Sequence, residues 1–168
     1  KNYSAEGPLE QAICLRVESG SNMRAVSLDL EAQGAIGSPA LFRLGADYSE
    51  KANLLKAGSF LVPERASMEG IVDQITRGGQ STCGTEVVYR VGVTRTTIQV
   101  RQLDPASNRY VEQAEFNPAE DETPAEYLAV REEADTRYRV AVAEGVTSWQ
   151  IIQALNGLGL LEGDIEEI

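Results

Sequence analysis

Three stretches of the chain repeat one pattern of apolar and polar positions. A valine ends a short apolar alternation, and a polar residue suited to capping follows five positions later. Apolar residues stand four and eight positions beyond the cap, and a glycine closes the run at plus twelve. The first copy is Val17, Asn22, Val26, Leu30 and Gly34; the second is Val62, Ser67, Ile71, Ile75 and Gly79. The third is Val142, Thr147, Ile151, Leu155 and Gly159. Residues four apart share one face of a helix. Asn, Ser and Thr accept hydrogen bonds from the unfilled N–H groups at a helix start, and glycine takes the left-handed conformation that ends a helix. The pattern predicts strand, capped helix and glycine stop, three times over.

The positions between fill in the rest. Within 11–18, Ile13, Leu15 and Val17 alternate and predict a strand with all three on one face. A helix is expected over 23–33, packed through Met23, Val26, Ser27 and Leu30, with Ile36 folding back beyond Gly34. Ser38-Pro39 predicts a second start, with proline at the first helical position; Leu41, Phe42, Leu44, Gly45 and Tyr48 are its expected apolar surface. Ser59–Val62 reads as a strand stopped by Pro63, and 68–77 as a helix with Met68, Ile71, Val72 and Ile75 inward. The unit is strand, helix, helix, strand, and its second strand begins the next copy.

Asn22 and Ser67 are 45 residues apart, whereas Ser67 and Thr147 are 80 apart, so about 35 residues are inserted. The insertion predicts strands at 85–91, 96–103 and 109–116, with reversals at Gly92–Arg95 and Asp104–Asn108. A polar, acidic loop over 117–124 and a short helix over 125–133 follow. Arg137–Val142 returns as a strand, and Thr147 caps a last helix to Asn156 carrying Trp149, Ile151, Ile152 and Leu155. The expected fold class is α+β, not a Rossmann sheet, because the crossovers are short and the strands few. The expected division is an exposed lead-in over 1–10, two overlapping repeats over 11–79, a β-rich insertion over 80–135 and the third repeat over 136–168.

Composition narrows the chemistry. The 168 residues carry a formal charge of −11, which argues against a nucleic-acid backbone as partner. There is no histidine. Serine and cysteine nucleophile schemes therefore lack their base, and a structural zinc or iron–sulfur site lacks ligands. No cofactor is expected. Cys14 and Cys83 are the only cysteines. One disulfide and two separate thiols with Cys14 buried on a strand both remain open, the thiols being the default. No apolar run is long enough to span a bilayer. Lys1 opens the chain without a methionine, and the expectation is a soluble piece of a longer protein.

Ile13–Glu18, Ala32–Ile36, Leu41–Leu44 and Leu55–Phe60 together resemble the periplasmic part of the YceG-like (MltG) family of endolytic murein transglycosylases. Val140–Trp149 resembles the phrase leading into that family's catalytic domain. The resemblance covers 13–79 and 136–161. Such proteins also carry the name aminodeoxychorismate lyase, but no residue here supports pterin-precursor chemistry. The resemblance implies a LysM-like fold on the periplasmic side of the bacterial inner membrane, behind a single membrane anchor. The parent enzyme would cut glycan strands internally and leave 1,6-anhydro-muramyl ends, using a glutamate beyond residue 168. The module itself would be non-catalytic.

Its implied partners are peptidoglycan glycan strands, the missing C-terminal catalytic domain and other cell-wall synthesis proteins. LysM-like units bind glycan at a strand–helix junction. The implied groove here is Glu18, Ser19, Gly20, Ser21 and Asn22 with Glu64, Arg65 and Ser67. Glu18, Glu64 and Glu144 each follow a strand and precede a helix, where helix-start N–H groups favour negative charge. Their repetition reads as architecture and not as catalysis. Glu120, Asp121 and Glu122, with Glu132, Glu133 and Asp135, read as solvated faces. Tyr89, Tyr110, Phe116 and Tyr127 read as cover for a small core in the insertion. The alternative is a structural or interaction scaffold without glycan affinity, its interface including the apolar tail Leu158, Leu160, Leu161, Ile165 and Ile168.

Overall fold

A computed structural model describes residues 2–159 of the chain, and Leu160, Leu161, Ile165 and Ile168 of the expected apolar tail lie outside them. The fold is α+β, with two sheets and five helices among the described residues. The described residues divide into two compact units, one of residues 2–84 and 103–110, the other of 85–102 and 111–159. This division differs from the expected one. The strand at 137–142 shares a sheet with the strands of the insertion, so a boundary at 135/136 would cut through one sheet.

The first unit contains β1 (Ile13–Val17), α1 (Met23–Ala32), α2 (Pro39–Tyr48), β2 (Gly58–Val62) and α3 (Met68–Thr76). β1 and β2 are antiparallel, with Val17 opposite Gly58 and Ile13 opposite Val62. Leu15 and Val17 on β1, Val26 and Leu30 on α1, Phe42 on α2, Phe60 and Val62 on β2, and Ile71, Val72 and Ile75 on α3 close one core. Helix α1 ends as the glycine predicts. Gly34 has φ +75°, its N–H donates to Glu31 O, and Ala35 N–H donates to Leu30 O, which together form a Schellman stop. Ile36 is buried behind it.

Two expectations fail here. Of the apolar surface expected on α2, Phe42 is buried and Leu41 and Gly45 are half-buried, but Leu44 and Tyr48 are 65% and 91% exposed. The buried pair is Phe42 and Ala46. The small residue on that face lets the helix approach, and Arg43 Nη1 donates 3.0 Å to Ser27 Oγ of α1. Gly45 faces Tyr3, whose ring occupies the space a Cβ would need. The lead-in is also less free than its polarity suggests. Leu9 is buried, Gly7 N–H donates to Arg65 O, Arg65 N–H donates to Leu9 O, and Glu69 N–H donates to Tyr3 O.

The expected default of two thiols is overturned: Cys14 and Cys83 form a disulfide. Residues 81–83 run beside β2 and place Cys83. Thr82 N–H donates to Ser59 O, Ser59 N–H to Ser81 Oγ, and Leu61 N–H to Thr82 Oγ1. Short hydroxyl side chains thus satisfy an edge that would otherwise stay open.

The second unit is built on β3 (Thr85–Val91), β4 (Thr96–Asp104), β5 (Arg109–Phe116), α4 (Ala125–Val130), β6 (Arg137–Val142) and α5 (Ser148–Gly157), with sheet order β5-β4-β3-β6; the last two residues of β4 and the first two of β5 fall in the first unit. β3 pairs antiparallel with β4 and parallel with β6. Val87, Tyr89, Ile98, Val100, Phe116 and Tyr127 form its core. Three of the four aromatics expected as cover are there, and Tyr110 is half-buried. Tyr89 and Tyr127 share a hydroxyl–hydroxyl bond of 2.7 Å. Glu86, buried on β3, faces Arg101 across the β3–β4 pair, with Arg101 Nε 2.6 Å from its carboxylate. Helix α4 stops three residues short of the expected 133 because Thr136 Oγ1 donates to Val130 O and turns the chain.

Candidate functional site

The three copies share more than the spacing predicts. After each valine the chain makes a four-residue turn closed by a backbone bond: Ser21 N–H to Glu18 O at 3.1 Å, Ala66 N–H to Pro63 O at 3.3 Å, Val146 N–H to Ala143 O at 3.4 Å. The third residue of each turn is left-handed, with φ +80° at Gly20, +56° at Arg65 and +87° at Gly145. The cap then accepts from the helix: Asn22 from Ala25 N–H, Ser67 from Gly70 N–H, Thr147 from Gln150 N–H. Gly34, Gly79 and Gly159 all have positive φ.

The repeated glutamates are not equivalent. Glu18 is the first residue of its turn, whereas Glu64 and Glu144 are the second of theirs. The turn and cap repeat; the carboxylate does not. That withdraws one support for reading the three glutamates alike. All three are exposed.

The structure does not bring the two expected halves of the glycan groove together. Because β1 and β2 are antiparallel, the turn after Val17 and the turn after Val62 leave from opposite ends of the pair. Four strand steps separate those ends, roughly 13 Å. Glu18, Ser19, Gly20 and Ser21 line an open depression of about 440 Å³, joined by Arg16 from β1 and by Ala25, Val26 and Asp29 from α1. Asn22 stands at its edge with its side chain committed to Ala25. Glu64, Arg65 and Ser67 lie elsewhere. Arg65 is tied through its backbone to Gly7 and Leu9 and through its side chain to Glu6, and Ser67 Oγ is held by Gly70.

The Arg16 depression offers a guanidinium, two carboxylates and two serine hydroxyls on a shallow floor, without an aromatic ring. A second concavity, of about 400 Å³, belongs to the second unit. Its walls are the β3–β4 turn, residues 117–120 and the first turns of α5, including Trp149, Gln150, Gln153 and Ala154. Trp149 is 61% exposed. It is one of the larger apolar residues expected on α5, and α5 buries none of its side chains.

Of the acidic loop, Asp121 Oδ2 accepts from Asn117 N–H and closes a local turn. Among the described residues no cluster of three or more His, Cys, Asp or Glu is placed to hold a metal, and no helix is long and apolar enough to cross a membrane. Asp104 is held below the usual carboxylate range, first by Ser107 Oγ–H, which donates to it at 2.5 Å, and then by the backbone N–H groups of Ala106 and Ser107. It organises the β4–β5 turn. No family model, curated protein or solved structure matches the chain.

Proposed function

We propose that the chain is a non-catalytic, LysM-like module of a periplasmic endolytic peptidoglycan transglycosylase, and that it positions glycan strands for a catalytic glutamate outside residues 1–168. The observation carrying this reading is the first unit: two helices threaded between the strands of an antiparallel pair, with a polar depression at the β1–α1 junction. A shallow polar floor suits the hydroxyl and acetamido groups of a hexosamine chain. The Cys14–Cys83 bond supports an extracytoplasmic location, since disulfides persist where the compartment is oxidising. Glycan contact is assigned to Arg16, Glu18, Ser19, Ser21 and Asp29. Glu64, Arg65 and Ser67 are assigned to architecture.

Titration of the labelled protein with soluble peptidoglycan glycan fragments tests this. Amide shifts concentrated at 18–21 are expected; none at millimolar ligand would remove the glycan role from this depression. Incubation with purified sacculi is expected to release no anhydro-muropeptides, and measurable release would overturn the non-catalytic assignment.

A second reading, an interaction scaffold, draws on β6. It is an edge strand whose Tyr138, Val140 and Val142 are each about two-fifths exposed, at 39%, 41% and 45%. Such an alternating apolar face on an open edge invites another polypeptide.

A further inference from the structure

Trp149 is the only tryptophan in the chain, and it stands on an open wall. Large aromatic side chains contribute most to stability when covered, so an exposed indole on a well-formed helix start calls for a reason. Its position is fixed from behind. Gln150, the next residue, accepts from Thr147 N–H through Oε1 at 2.8 Å and donates from Nε2 to Val93 O at 3.0 Å. That pair of bonds locks the first turn of α5 onto the β3–β4 turn and leaves the Trp149 side chain exposed. Gln153 is one helical turn further on, so it lies on the same face as Trp149 and is itself exposed. Across the concavity are Asn117 and Glu120, with Arg95 at the β3–β4 turn.

We propose that this concavity is a second saccharide subsite, with one pyranose ring stacked on Trp149 and its hydroxyl or acetamido groups bonded by Gln153, Asn117 and Glu120. The chemistry is that of a sugar. One flat apolar face meets the C–H side of a pyranose, and amide and carboxylate groups around it match equatorial hydroxyls. The wall is mixed: the indole and the half-exposed Val93 share it with the amide, carboxylate and guanidinium groups of Gln153, Asn117, Glu120 and Arg95, so a ring stacked on Trp149 has polar partners in the same concavity. The inference rests on the glycan reading above but names a different unit of the chain and different residues.

The single tryptophan makes the test direct. Fluorescence of the whole chain is titrated with an N-acetylglucosamine tetramer and, in parallel, with cellotetraose, which has hydroxyls in place of the acetamido groups. A saturable blue shift of Trp149 emission with the first ligand is expected, at least five-fold weaker with the second. Trp149→Ala is expected to abolish shift changes at residues 117, 120 and 153 in heteronuclear spectra while the far-ultraviolet spectrum stays unchanged. Gln153→Ala is expected to weaken binding about five-fold, the loss of one hydrogen bond. Unaltered Trp149 emission together with shifts at 18–21 would overturn this subsite and leave the first-unit groove standing. Emission changes without shifts at 18–21 would support the subsite and move the glycan role to the second unit. No response at either place would overturn both. An emission change retained in full by Gln153→Ala and equal for both tetramers would also overturn the proposal, since it would show contact without recognition.

Discussion

Reducing the Cys14–Cys83 bond is expected to destabilise the first unit by about 4 kcal/mol, an upper figure from the chain entropy of a closed loop. The two cysteines are 69 residues apart. The loop they close contains the rest of β1 and all of α1, α2, β2 and α3, that is, every regular element contributing to the first core. In the unfolded chain the bond removes the freedom of nearly that whole unit. In the folded chain β1 and the Ser81–Cys83 segment are held in place by backbone and hydroxyl bonds that do not depend on the bridge. The bond therefore acts mainly on the unfolded state. A loss of about 4 kcal/mol is nearly a thousand-fold in the folding equilibrium. The assay is urea unfolding followed by far-ultraviolet circular dichroism, with and without reductant, against the Cys14→Ala/Cys83→Ala double variant. Reduced protein and double variant should shift alike. A shift equivalent to under about 1 kcal/mol would show that the unfolded loop is already compact and would refute the entropic argument.

Leu30→Ala and Ile75→Ala, both fully buried, are each expected to cost about 2–5 kcal/mol in the same unfolding assay; an unchanged midpoint would mean the packed stripes are misassigned. Gly20→Ala meets no neighbouring atom but must keep φ +80°, so it is expected to cost about 1 kcal/mol, whereas Arg65→Gly, relieving a side chain from φ +56°, is expected to leave stability equal or higher. Equal losses from both changes would refute the shared-turn reading. Tyr89 titrates well above the ordinary phenol value, first because it is buried and then because of its bond to Tyr127, and burial also raises Tyr3 and Tyr138. A phenol held neutral by the fold stabilises fully below its unfolded value of about 10 and less as pH climbs past it. Stability is therefore expected to fall above that pH, and Tyr89→Phe should flatten the decline; an identical slope in the variant would count against Tyr89 as its main source.

The local half of the fold was legible because its causes are local. Strand limits at 85–91, 109–116 and 137–142 and the caps Asn22, Ser38, Ser67 and Thr147 follow from alternation and from side-chain oxygens that satisfy helix starts. What escaped depends on partners distant in sequence. Nothing near Arg137 announces that β6 will pair with β3, and nothing near Cys14 announces Cys83. On α2 the expectation holds for Phe42 and Gly45 and fails for Leu44 and Tyr48, because overlapping stripes have helical spacing and the buried one is fixed by distant partners, with Arg43 reaching Ser27 and Tyr3 filling the space beside Gly45. In the candidate site, the β1–α1 depression was readable from its loop. Its separation from Glu64–Ser67 required the antiparallel pairing, and the exposure of Trp149 required the position of α5.

The parallel pairing of β3 with β6 also sets an order of events during synthesis. A growing chain has both strands and all three helices of its first core once residue 83 has emerged, and those elements are close neighbours in sequence. The central strand β3 emerges next but must wait for residues 137–142 before its second side is covered. Until then one edge of a Val-rich strand stands open to other chains, and such late, non-local pairings are slow to form. The β4–β5 hairpin can shield only the opposite side. A chain interrupted before residue 137 would thus keep a first unit able to fold and a second prone to aggregate.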